Sequence, residues 1–111
     1  MLNKAKCILN NNSYDNFTVP NKKLYPFQWN WDSLVTALGI STYDIDRSLV
    51  EIETLFDNQW ENGMIPHIIF HKKNNDYFPG QNEWTSNTKI PTSCITQPPI
   101  SGTILWYIYN S

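Results

Sequence analysis

The sequence predicts an all-α fold of helix hairpins joined by long loops. Two observations carry that expectation: apolar residues recur at helical spacing in four separate stretches, and the segments between them are punctuated by Asn, Pro and Ser with no sustained alternation. A third concerns the loops themselves, because tryptophans gather where loops meet helices, beside Asn, Gln and Asp rather than among aliphatic residues.

Ala5, Ile8 and Leu9 place a first short helix over Asn3–Asn11, ended by an asparagine run that favours turns. From Ser13 to Pro26 two prolines push their predecessors, Val19 and Tyr25, out of the helical region, so the stretch reads as an ordered loop. A second helix is expected over Trp31–Ile40, with Leu34, Val35 and Leu38 on one face and Asp32 at the positive end of its dipole. The third is expected over Asp44–Asn62, capped by Asp44 and closed by Gly63, with Ile45, Leu49, Ile52, Phe56 and Trp60 forming its apolar stripe. On that wheel Glu51, Glu53, Asp57 and Glu61 belong to a solvated face.

Met64–Thr96 has a β-branched run at Ile65–Phe70 and then no period at all, which marks a functional loop rather than a connector. Pro98-Pro99 suit the first turn of a last helix running from Ile100 to Tyr109. Helix hairpins with elaborate loops at one end describe an α/α toroid whose mouth is built by those loops.

Composition narrows the function classes. Eight basic against ten acidic residues give a net charge of −2, with no basic run beyond Lys22-Lys23 and Lys72-Lys73, so a nucleic-acid partner is not expected. The first nine residues turn polar at Asn10 and no later segment could span a bilayer, which sets the expectation of a cytoplasmic protein with no membrane partner. Cys7 and Cys94 share no metal-like spacing and are expected reduced and partly buried.

Aromatic residues make up 14% of the chain, and the densest constellation is Tyr25-Pro-Phe-Gln-Trp29-Asn-Trp31-Asp32-Ser33. Sugars call for this mixture, since aromatic faces cover the C–H patches of a pyranose while a carboxylate or amide pairs with neighbouring hydroxyls. The alternative is that Trp29 and Trp31 anchor a core and Asp32 caps a helix. His67 emerges from a proline-stiffened turn and could meet a hydroxyl or serve the structure. His71 follows four residues later on a non-helical run, so no metal pair and no cofactor are expected. Gln97, held before Pro98-Pro99, is placed to project its amide. Glu83 beside Trp84 is the other carboxylate in pocket-like company.

Taken in order, the Tyr-Pro-Phe-Gln-Trp-x-Trp-Asp-Ser block, Gly63-Met-Ile-Pro-His67 and Thr92-Ser-Cys-Ile-Thr-Gln-Pro-Pro99 resemble the opening third of the mannosylglycerate and glucosylglycerate hydrolase-like glycosidases, relatives of glycoside hydrolase family 63. The likeness runs from about Ala5 to the end; trehalases and other six-hairpin barrels share a looser version. It implies residues 1–111 as the N-terminal part of a single (α/α)6 barrel domain, an incomplete toroid. It also implies an inverting hydrolase of small α-glycosides whose two carboxyl groups stand roughly 6.5–9.5 Å apart on later loops.

On the family pattern Trp31 and Asp32 line the pocket of the cleaved sugar with His67 nearby, and Tyr25, Trp29 and Gln97 lie toward it or the leaving group. No residue of this stretch is the catalytic acid or base. Cys94 replaces a glycine of the family turn, a strained exchange if that position needs positive φ. The rival readings are a non-catalytic carbohydrate-binding or interaction fragment and a trehalase-like enzyme. The partner expected is a small carbohydrate, with self-association through apolar faces left exposed.

Overall fold

A computed structural model describes all residues, Met1–Ser111. Its elements are α1 (Leu2–Asn12), β1 (Gln28–Trp29), α2 (Asn30–Ser41), α3 (Ile45–Phe56), β2 (Ile68–Ile69) and α4 (Ser101–Tyr109), with a single 3-10 turn at Gln81–Glu83. Helices dominate, but the two-stranded sheet corrects the all-α expectation. The β-branched run had no period long enough to show that Ile68 and Ile69 pair antiparallel with Trp29 and Gln28.

Alternation along these two short strands divides the interior. Phe27, Trp29, Ile68 and Phe70 point to one side and form an aromatic cluster, whereas Ile69 points to the other and joins Leu34, Ala37, Ile52, Leu55, Ile104 and Ile108. The second group is the core proper, enclosed by α2, α3 and α4. Gln28, opposite Ile69, also faces the helices, fully buried.

The third helix is shorter than its pattern suggested. It starts at the expected cap, where Asp44 accepts from the Arg47 amide at 2.9 Å, but it stops at Phe56. There Asn58 turns its Nδ2 back onto the Thr54 carbonyl at 2.8 Å, the local competition for which asparagine is known, and Gly63 with φ 89° closes a separate turn instead. Trp60 therefore sits in that turn and donates its indole N–H to Thr92 Oγ1 at 3.0 Å.

The buried stripe of α3 is also rotated from the one read in sequence. Ile45 and Leu49 are exposed, and Ser48, Glu51, Ile52 and Leu55 face inward. Glu51, expected on a solvated face, is 0% exposed. On α2, Leu34 is buried and Leu38 half-buried as the wheel required, but Val35 is exposed. Cys7 is exposed rather than partly buried, while Cys94 is half-buried and its thiol donates to the Thr85 carbonyl at 2.9 Å. No residue other than glycine has positive φ, so Cys94 occupies its turn without the strain that a glycine-only position would impose.

Leu55 is 0% exposed at the meeting of α2, α3 and α4, so Leu55→Ala should cost about 2–5 kcal/mol and lower the melting temperature by roughly 10 °C or more. Thermal circular dichroism checks this, with Val35→Ala, on an exposed position, expected to melt like the parent chain.

Candidate functional site

The site is built where β1 runs into α2. Pro26 and the pairing of β1 with β2 hold the approach extended, and the Asn30 amide donates to the His67 carbonyl at 3.0 Å, fastening the strand end before the helix begins. From there α2 presents Trp31 and Asp32 in its first turn. The far wall comes from the loop before α4: Gln97 Oε1 accepts the Trp31 amide at 3.0 Å, one of the donors that a helix N-terminus leaves free.

A cleft of about 230 Å³ results, lined by Pro20, Tyr25, Trp29, Asp32 and Gln97. Tyr25 stands edge-on to Trp29 with ring centroids 5.6 Å apart, and Tyr77 backs Trp29 at 5.3 Å in the same T-shaped manner. Trp29 is thereby locked, while Tyr25 and Trp31, each about half exposed, keep aromatic surface toward solvent. A second, more apolar cleft of about 380 Å³ lies between α1 and α2; it shares Pro20 and Asp32 and includes Trp31. Three larger depressions, about 440, 450 and 460 Å³, are walled mainly by polar side chains, so chemistry rather than size picks out the site. Glu83 lines one of these, away from the cleft.

Four of the six residues singled out in the sequence thus share one cleft, and Trp31 lines its neighbour. His67 lines neither. Its Nδ1 pairs with Ser93 Oγ at 2.6 Å, the same hydroxyl accepts the Ile68 amide at 3.1 Å, and its ring meets Trp84 edge-on at 5.8 Å. His71 turns elsewhere: it stacks on Phe17 at 4.1 Å and its Nε2 bonds Gln28 Oε1 at 2.7 Å.

The electrostatics follow from burial. Desolvation raises the Asp32 carboxyl above its ordinary value, with its own backbone amide and the Trp31 side chain drawing it part of the way back. Desolvation lowers both imidazoles, His71 to about 4. At neutral pH both rings are uncharged, so His71 can donate one N–H to Gln28 and keep an apolar face on Phe17.

The residue that sequence reasoning missed is Glu51. Its Oε1 accepts the Thr18 amide at 3.0 Å and Ser33 Oγ at 2.8 Å; its Oε2 accepts Thr18 Oγ1 at 2.9 Å and Arg47 Nη2 at 2.8 Å. A signal for it was present. Ser48, Glu51, Ile52 and Leu55 stand at i, i+3, i+4 and i+7, which puts the carboxylate inside a buried stripe, and Arg47 lies one turn before it.

The mannosylglycerate hydrolase MGH1-like glycoside hydrolase domain matches residues 25–111. The chain is 46% identical over 110 residues to the mannosylglycerate hydrolase of Thermus thermophilus, covering 96% of this chain and 26% of that protein. It is 45% identical over 101 residues to mannosylglycerate hydrolase MGH1 of Selaginella moellendorffii, covering 90% and 21%. A crystal structure of a family 63 mannosylglycerate hydrolase, also from Thermus thermophilus and in complex with Tris and D-glycerate, superposes with a TM-score of 0.92 at 45% identity, over 100% of this chain and 27% of that one. The chain therefore spans about a quarter of the length of the curated relatives it matches.

The imidazoles make the stability of the fold depend on pH. The unfolded chain protonates His71 near 6.5 and the folded chain only near 4, so the folded state loses stability as pH falls through that interval. His67, also lowered, adds in the same direction, while the raised Asp32 opposes it at the acid end. Melting curves from about pH 7 to about pH 4.5 should show a falling melting temperature. His71→Phe, which keeps the stack on Phe17 but cannot titrate, should show a shallower fall, and an equal slope in both chains would refute the assignment.

Proposed function

The chain belongs to the mannosylglycerate hydrolase MGH1-like glycoside hydrolase family, and from that membership we propose that it supplies the sugar-binding loops of a hydrolase of small α-glycosides such as mannosylglycerate or glucosylglycerate. The observation that carries the reading is the cleft itself: one carboxylate, one amide and two aromatic rings converge on a space of about 230 Å³. That is below the roughly 300 Å³ at which drug-sized pockets begin, which suits a single pyranose better than an oligosaccharide. Asp32 accepts hydrogen bonds from neighbouring ring hydroxyls, Gln97 offers an amide at the opposite wall, and the half-exposed Tyr25, backed by Trp29, covers a C–H face.

The same set of residues supports a division of labour. Inverting hydrolysis needs an acid and a base flanking the bond, roughly 6.5–9.5 Å apart, and Asp32 is the one carboxylate lining either cleft. This segment accordingly binds and orients the sugar within the first hairpins of an (α/α)6 toroid, and proton transfer belongs to carboxylates from other loops. Trp106, Tyr107 and Tyr109 on α4 are exposed and support association of the 111-residue chain with itself or with the remaining hairpins.

Titration of the chain with α-mannosylglycerate, followed by tryptophan fluorescence, tests the reading. Binding is expected without release of free mannose, and Asp32→Ala should weaken it by about 10-fold or more, the loss of a hydrogen bond to a charged group. Affinity should also decline on acidification at a higher pH than an ordinary carboxylate would dictate, because Asp32 is raised. No binding would sink the proposal. Mannose release that disappears in Asp32→Ala would instead show a complete site.

A further inference from the structure

We propose that Glu51 is the positioning residue of the cleft: its buried carboxylate and carbonyl tie together the three separate segments from which Pro20, Trp29 and Asp32 project. Each connection is direct. Thr18, bonded to Glu51 through both its amide and its hydroxyl, stands two residues before Pro20. Ser33, bonded through its hydroxyl at 2.8 Å, is the next residue after Asp32. Gln28, whose Nε2 donates to the Glu51 carbonyl at 3.4 Å, immediately precedes Trp29. A loop, a strand and a helix thus take their relative positions from one residue of α3 that lies beneath the cleft without lining it.

The chemistry of the group suits this task. An ionised carboxylate accepts on about four sites, and four donors meet it here: two from Thr18, one from Ser33 and one from Arg47. Arg47 Nη2 also donates to Thr18 Oγ1 at 3.0 Å, so cation, hydroxyl and carboxylate close a triangle that fixes the Thr18 side chain. An aliphatic side chain at this position would fill the space and hold neither the Thr18 loop nor Ser33 in register, leaving only the main-chain tie to Gln28. The remaining cleft walls are set independently, Gln97 by the Trp31 amide and Tyr25 by its edge contact with Trp29.

The ligand half of the test rests on the sugar-binding reading above; the other half does not. Backbone 15N relaxation of the 111-residue chain, without ligand, compares the parent with Glu51→Gln, which keeps the volume and loses the charge, and with Ser33→Ala, which cuts a single tie. In Glu51→Gln the order parameters of Val19 and Asp32 should fall from about 0.85 to below about 0.6, while that of Trp29, tied through the main-chain carbonyl that the variant keeps, and those of Ile104 and Ile108 in the helical core hold. In Ser33→Ala only Asp32 should loosen, and this variant decides the matter if Glu51→Gln does not fold. Rigid amides at Val19 and Asp32, or an equal fall at Ile104 and Ile108, would overturn the proposal, since the first denies positioning and the second reduces Glu51 to general stability. Titration with α-mannosylglycerate should then show at least tenfold weaker binding by Glu51→Gln. A parent chain that does not bind refutes the sugar reading alone, and the relaxation pattern still judges Glu51.

Discussion

A carboxylate withdrawn wholly from water is the constraint around which this structure is arranged. Stripping an ion of its hydration costs several kcal/mol, and an apolar side chain of similar volume in its place is often neutral or more stable by about 1–4 kcal/mol. Glu51 therefore needs its four donors in place, and they reach it from three separate parts of the chain. Meeting that demand brings the Thr18 loop against α3 and draws the first turn of α2 down onto it. Arg47, one turn earlier on α3, adds the opposite charge at 2.8 Å with only a fifth of its side chain exposed. The fold accepts a costly group and gains a defined register among the Thr18 loop, α2 and α3.

The short sheet carries that register outward. Because neighbouring residues of a strand point to opposite faces, Gln28 can reach toward Glu51 and His71 while Phe27 and Trp29 face the aromatic cluster. Two residues per strand suffice because each flank is secured by other means: the Asn30 amide on the His67 carbonyl, Phe70 on Pro91, Ser93 on Ile68. The neutral state of His71 belongs to the same arrangement. A charged ring would have to be buried between Phe17 and Gln28, and desolvation holds it uncharged down to about pH 4.

Much of this was legible in the sequence, and what was not has physical reasons. The helices and the loop-to-helix junction carrying Trp29, Trp31 and Asp32 follow from periodicity, prolines and residue chemistry, all local properties. The end of α3 was misplaced because Asn58 folds back onto Thr54, a side-chain competition that an apolar stripe continuing to Trp60 conceals. The sheet was missed because strands of two residues are too short to show a period. Glu51 was placed in solvent because a charge is read as exposed unless its partners are known, and Thr18 and Ser33 lie 33 and 18 residues away in the chain. Pro20 enters the cleft for the same nonlocal reason.

The distribution of fastenings also bears on why the cleft is ordered within 111 residues. Its lining residues come from two places, 20–32 and Gln97, and the bonds that hold them run mainly to α3, to β2 and to the loop before α4. The Thr18 loop is also fastened to the end of α1, by the Val19 amide on the Asn12 carbonyl at 3.0 Å and by Asn12 Nδ2 on the Pro20 carbonyl at 3.4 Å. None of these bonds involves the exposed aromatic side chains of α4. Order at the cleft thus depends little on the surfaces where this chain is least satisfied. A binding wall preorganised in this way loses little conformational entropy when a ligand arrives, which is where much of the cost of recognising a small polar molecule otherwise falls.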